Sequence, residues 1–326
     1  MPSRIIEIVA GSGYADTLAA TAEKYGALDW RADQPNGKGT QLFRILAHPE
    51  RQQELIDQLQ AALGKDKAWR LTILPVDATI PEPELSPDAK RAPELATREE
   101  LYVDIAHGAE ASRTFLLLVL ISTVVAAIGL FEDNIAVVIG AMLIAPLLGP
   151  NVALAFGSAI GDRQLITRAA STNLIGIALS IAGAALAGLV LPNQYSGPEL
   201  VSRTVIGFDS VALALASGAA GALSLTSGLS STLVGVMVAV ALLPPAATFG
   251  YMLGTGRFEL AMGAGALLAV NIVCVNLAAQ LVFLAKGIKP RTWLERRSAQ
   301  QSTRISLIVW SVLLAILLAS IYLRRG

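Results

Sequence analysis

Four asparagines interrupt the most apolar part of this chain. Asn151, Asn173, Asn271 and Asn276 lie in runs built mainly from Ala, Val, Leu, Ile and Gly. Each amide offers two donors and an acceptor. In hydrocarbon such a group either ties two helices together, for about 0.6–2 kcal/mol per contact, or binds a small ligand. Both readings stand for each Asn. What draws the four together is their proximity to two proline-rich interruptions. Residues 134–155 (NIAVVIGAMLIAPLLGPNVALA) carry Pro146, Gly149 and Pro150, and residues 229–250 (LSSTLVGVMVAVALLPPAATFG) carry Pro244 and Pro245. A proline removes an amide donor and crowds the carbonyl one turn earlier. In a bilayer the freed carbonyls must be paired, hydrated or used to hold an ion.

The two stretches correspond. Gly140 matches Gly235, Met142 matches Met237, the Leu147-Leu148 pair matches Leu242-Leu243, and Pro150 matches Pro245. Paired interruptions in two halves of one chain point to a transport site at discontinuous helices; an ion channel gated by the N-terminal domain and a non-transporting membrane sensor or scaffold are the alternatives. The candidate ion or solute pathway is therefore Pro146, Gly149, Pro150, Asn151, Asn173, Pro244, Pro245, Asn271 and Asn276. Glu132 and Asp133 stand at its outer mouth. They either gather cations and relay protons or form the solvated first turn of the following helix, where carboxylates favour the positive end of the dipole. No acid lies at mid-membrane depth, so neutral coordination by amides and backbone groups is the expectation.

The elements that must carry these residues are apolar runs at 112–131, 134–159, 165–191, 209–226, 230–253, 258–286 and 304–323. Each suits the roughly 20 residues that cross a hydrocarbon core. The first six fall into two groups of three. An odd number of spans per group forces the second to enter from the opposite side, giving two inverted three-helix repeats with broken helices. Arg163 and Arg168 in one gap, and Lys286, Lys289, Arg291, Arg296, Arg297 and Arg304 in another, place both gaps on the cytoplasmic side. Arg324 and Arg325 run against that orientation. Thr172, Gly176, Ser180, Ala184 and Gly188 form a stripe of small residues, as do Ala214, Gly218 and Ala222, which allow close helix approach.

Before the apolar runs lies a region in which acids outnumber bases. Residues 1–80 alternate short β-rich stretches with two helical stretches. The order βαββαβ predicts a soluble α+β, ferredoxin-like domain, either regulatory and ligand-sensing or a structural cap. Pro49 is expected to open its second helix. Gly11-Ser12-Gly13 is a weak phosphate-binding signal beside a plain turn. Residues 81–111 form a linker with Pro81, Pro83, Pro87 and Pro93, then a capping box at Thr97–Glu100 that starts an amphipathic juxtamembrane helix. Residues 112–290 hold the two repeats, and 291–326 a basic cytoplasmic loop and a last membrane helix.

No Walker, Rossmann or HExxH pattern occurs, and neither His48, His107 nor the lone Cys274 has partners at ligand spacing. An enzyme, a metal site and a cofactor are not expected. Nor is a nucleic-acid partner, since no basic patch interleaves with aromatics. The expected partners are the bilayer, a small ion or solute, and a second copy of the chain.

The run EDNIAVVIGAMLIAPLLGPNVALAFGSAIGD, the REELY ahead of the first span and the paired prolines of the second stretch resemble the bacterial family known as domain of unknown function 389. The resemblance covers about residues 98–286. It implies a prokaryotic cytoplasmic (inner) membrane protein and no particular substrate.

Overall fold

The computed structural model describes residues 3–64, 68–84, 97–190, 197–226, 231–288 and 293–325, with side chains except at 231–241, 293–302 and 320–325. Pro87, Pro93 and residues 191–196 of the expected linker and outer loop fall outside that set. The chain divides into two compact units, Met1–Leu101 and Tyr102–Gly326.

The first unit contains β1 (Arg4–Gly11), α1 (Ala15–Lys24), β2 (Asp29–Ala32), β3 (Thr40–Ala47), α2 (Gln52–Leu63) and β4 (Arg70–Pro75). The strands form one antiparallel sheet in the order β2-β3-β1-β4. Alternation decides which face is covered. Ile6, Ile8 and Ala10 of β1 and Phe43, Ile45 and Ala47 of β3 point to one side. There they close a core with Leu18 and Ala22 of α1 and Leu55, Ile56, Leu59 and Leu63 of α2. Pro49 does not open α2, which begins three residues later at Gln52. Pro49 sits in the preceding turn, closed by the Arg51 amide on the His48 carbonyl. The Gly11-Ser12-Gly13 turn spends its Ser12 amide on the Gly39 carbonyl, at 3.0 Å. That removes a donor on which a phosphate would rely.

The division between the units falls inside α3 (Arg98–Gly108). Its capping box forms as the sequence requires: the Glu100 amide donates to Thr97 Oγ1, and Thr97 donates its own amide to Glu100 Oε2 at 2.8 Å. Within the first unit Arg98 pairs with Asp57 and Glu99, and its amide donates to Gln53 of α2. Burial pushes the Glu99 carboxyl up, but the Arg98 guanidinium and the Gln53 amide outweigh it and hold it below the ordinary range. A depressed folded pKa contributes stability above the unfolded value, and loses it as pH falls through the folded one. Amide exchange in α2 is therefore expected to be slowest near neutrality and to speed up, once corrected for intrinsic exchange, in acid below the normal glutamate range. Glu99→Gln should flatten that profile. An unchanged profile in the variant would remove this carboxylate from the acid response.

The second unit is helical: α4 (Arg113–Phe131), α5 (Ile135–Ile144), α6 (Leu148–Ile160), α7 (Arg163–Val190), α8 (Pro198–Ser202), α9 (Phe208–Thr226), α10 (Ser231–Gly254), α11 (Phe258–Ala285) and α12 (Trp293–Arg325). Among the described residues α4, α7, α9 and α11 are each long and apolar enough to cross a bilayer, and α5 with α6 makes a bent fifth candidate. This is a membrane protein. Many large apolar side chains, such as Leu117, Val124, Leu174 and Leu186, are exposed, as a hydrocarbon surround permits.

Both small-residue stripes find partners inside the chain. Gly188 of α7 lies against the Tyr251 carbonyl of α10, while Gly250 and Gly254 of α10 receive the Ile181 and Ala185 carbonyls of α7. Gly218 of α9 meets Val275 of α11. Helix α10 thus packs on α7, and α6 packs on α11.

Candidate functional site

The first interruption is a true break. α5 and α6 meet at 55°. Pro146 has no amide to continue the ladder and forces its predecessor out of helical geometry, so Ala145 is extended at φ −70°, ψ 118°. Pro150 plays no part in the break. It is the third residue of α6, in a first turn whose amides lack partners anyway.

The second interruption is absent. Helix α10 runs unbroken from Ser231 to Gly254 with Pro244 and Pro245 inside it. Both prolines are buried. Neighbouring helices hold such a segment in register despite missing donors, and the glycine contacts with α7 begin one turn later. The expectation of two broken helices is corrected to one.

Helix α6 is buried all the way round, from Pro150 through Ala159, as expected of a helix without a polar face. On one side lies α3, running antiparallel to it. The Tyr102 hydroxyl donates to Asp162 at 2.8 Å past the end of α6, and the Tyr102 and Phe156 rings stand 6.4 Å apart. At the other end Gly108 packs on Gly149, where an added Cβ would come within 2.6 Å of the Gly108 carbonyl oxygen. The Thr172 hydroxyl donates to the Ala109 carbonyl at 2.7 Å, and Arg168 pairs with Glu110 at 3.6 Å. Leu147 at the break lies against Gly176, so the break sits beside the middle of α7 and not at its charged end.

Beside the break lies a cavity of about 460 Å³, lined by Phe115, Leu118, Pro146, Leu148, Gly149, Val152 and Leu225, with Asp104, His107, Glu110, Ser112 and Thr114 supplying its polar wall. Among the described residues, no three His, Cys, Asp or Glu side chains converge to hold a metal.

Three of the four asparagines meet. Asn151, in the first turn of α6, is fully buried. Its Nδ2 donates to the Leu147 carbonyl at 2.9 Å and to Asn173 Oδ1 at 3.2 Å. Its Oδ1 accepts from Asn173 Nδ2 at 2.9 Å and from Asn276 Nδ2 at 3.0 Å. Asn276 also donates to the Ile272 carbonyl at 2.8 Å. Asn276 Oδ1 is buried with no hydrogen-bond partner among the described residues. Helices α6, α7 and α11 are thus joined through one amide hub. It lies about ten residues, roughly 15 Å, inside the Arg163 end of α7 and the Lys286 end of α11. Asn271 is buried too, but five residues from Asn276 on a helix is about 140° around the axis, so it faces elsewhere.

Glu132 and Asp133 do not form the first turn of α5. Asn134 does the capping there, its Oδ1 accepting from the amides of Ala136 and Val137. Asp133 adopts a left-handed turn at φ 56°, and its carboxylate accepts the Glu199 amide at 2.7 Å. It pins the connection between the two groups of helices. Glu132 is the exposed C-cap of α4.

One polar pair was overlooked at the sequence level. Gln280 is fully buried one turn after Asn276, with Oε1 accepting from the Ser306 hydroxyl of α12 at 3.1 Å and Nε2 buried without a partner among the described residues. The signal was present: two amides at i and i+4 in an otherwise apolar run share a helix face.

Comparison with known proteins agrees with the helical unit's character. The model of a domain of unknown function, DUF389, matches residues 142–277, which include the break and the whole hub. An uncharacterized protein of Methanocaldococcus jannaschii is 34% identical over 294 residues, covering 90% of this chain and 91% of its own. No solved structure matches. With that identity running across nearly the full length of both chains, and the family model lying over the hub, the chain belongs to the DUF389 family.

Proposed function

We propose that this protein moves a small ion or solute across the membrane, through a path that passes the broken helix and the amide hub. The observation that carries this reading is the hub itself. Buried amides at the N-terminus of a discontinuous helix gather side chains from the first three-helix group (Asn151, Asn173) and the second (Asn276). Discontinuous helices at the junction of two halves are where secondary transporters hold their cargo. The packing of α10 on α7 and of α6 on α11 supports an inverted repeat, because the middle member of each group then lies on the last member of the other. The sheet order of the first unit is that of a ferredoxin-like fold, which suits a regulatory module. Lysine and arginine placement favours a cytoplasmic N-terminal unit in a prokaryotic cytoplasmic membrane. We read the chain as a binding and transport protein, not an enzyme, that works as a homo-oligomer.

The proline positions test this reading. Pro146→Ala restores a donor and is expected to straighten α5 into α6. Flux into proteoliposomes should then be lost while the protein inserts and melts normally. Pro150→Ala should be silent, since its amide has no helical partner. Normal flux in the Pro146 variant would reduce the break to architecture. It would favour a non-transporting sensor whose first unit responds to a ligand.

A further inference from the structure

We propose that the face of α11 carrying Asn276 and Gln280 binds a small uncharged molecule with both a hydrogen-bond donor and an acceptor, a hydroxyl- or amide-bearing solute, and that this is the transported class. The inference rests on the transport reading and narrows its cargo.

The orientation of the first amide is fixed by its partners. Asn276 Nδ2 faces two oxygens, Asn151 Oδ1 and the Ile272 carbonyl. Turning the amide over would set oxygen against oxygen, so the unpartnered atom is Oδ1, an acceptor. One turn along the same face, Gln280 sets Oε1 on the Ser306 hydroxyl and leaves Nε2, a donor, without a partner among the described residues; a hydroxyl both donates and accepts, so the donor role follows from this orientation of the amide. Both residues are 0% exposed. Buried polar atoms in native proteins nearly always have partners, so an acceptor and a donor without partners among the described residues, about 6 Å apart at their Cβ atoms, call for a ligand that supplies the converse of each.

Charge argues against an ion. The sequence has no Asp, Glu, Lys or Arg in residues 134–161, 169–190, 260–285 or 305–323, so the surroundings of the hub are formally neutral. An uncompensated ion pays a large desolvation cost in such a place. The Gln280 N–H dipole repels a cation and the Asn276 carbonyl dipole repels an anion. A neutral donor-acceptor molecule completes a line of hydrogen bonds from Ser306 through Gln280, Asn276 and Asn151 to Asn173, across four helices.

The full-length protein in liposomes, with glycerol and urea as osmotic probes read by light scattering, tests this. At least one probe is expected to enter several-fold faster than into protein-free vesicles. Gln280→Met keeps length and removes the amide. It should cut the excess rate by about tenfold, the equivalent of one lost hydrogen bond, without lowering the melting temperature. Asn276→Leu should act in the same direction. Wild-type flux in Gln280→Met would overturn the proposal. So would vesicles that pass sodium or potassium but neither probe. That outcome leaves transport standing and means that the Gln280 amide is turned to present a second oxygen to a cation. Vesicles that pass nothing would remove the transport reading together with this one.

Discussion

Asn151→Leu is expected to cost more stability than any other single change in the hub. The substitution deletes both members of the reciprocal bond with Asn173, the acceptor for Asn276 and the side-chain bond to Leu147. The Asn173 amide is then left buried with neither of these bonds. Each unsatisfied buried group costs about 1–3 kcal/mol, so a loss of order 2–5 kcal/mol follows, tempered by the smaller values found between membrane helices. Asn276→Ala should cost less, roughly 1 kcal/mol or below. It removes one interhelical bond and also an oxygen that has no partner. Denaturant unfolding in detergent gives the order. If Asn276→Ala were as damaging as Asn151→Leu, the amides would not be organised about Asn151.

Gly254→Leu should have an effect of similar size by a different route. An added Cβ at Gly254 runs into the backbone of Ala185, and one at Gly250 into Ile181 and the Ala184 side chain. Neither obstacle is a flexible side-chain tip. Overpacking costs typically 1–3 kcal/mol, and with backbone on both sides the upper end applies. The double change Gly250→Leu, Gly254→Leu should prevent α7 and α10 from docking and yield aggregated protein on gel filtration. Gly140→Ala is the control. Nothing lies within 4 Å of its would-be Cβ, so the change should be neutral or stabilise α5 by about 0.5–1 kcal/mol. A folded, monodisperse double variant would mean that these helices do not pack through their glycines.

Local rules made much of this legible. Apolar runs located the helices, because length and hydropathy are properties of the run alone. The capping box at Thr97 and the break at Pro146 were readable for the same reason: each depends on a missing or supplied donor within one turn. Pro150 and the Pro244-Pro245 pair were misread because a missing amide has no fixed consequence. In the first turn of α6 it costs nothing, and inside α10 the neighbouring helices absorb it. Three of the four asparagines met, and Asn271 did not, because angular position around α11 decides which helix a side chain faces. Gln280 is marked only by its four-residue spacing from Asn276, since no proline lies near it in the sequence. The partner of the small-residue stripe on α7 is a fact of tertiary packing, and spacing alone left it open. Asp133 shows the same limit. Its carboxylate reads as a charge at a helix mouth, whereas its work is to receive one backbone amide from a segment more than sixty residues away.

The length of α11 links the hub to the thickness of the lipid around it. At 28 residues the helix is about 42 Å long, against roughly 30 Å of hydrocarbon in an average bilayer. Its charges stand only at its ends, Glu259 in the first turn and Arg257 and Lys286 at the two caps. A helix too long for its bilayer leans, kinks or thickens the lipid around it. Helix α7 has the same 28 residues, but Arg163 and Arg168 keep its first turns in the polar layer, so less of it needs covering. Asn173 and Asn276 thus reach Asn151 from two rods with unequal apolar lengths to cover. Acyl-chain length is therefore expected to bear on the hub through the angle between two helices, with no ligand of its own.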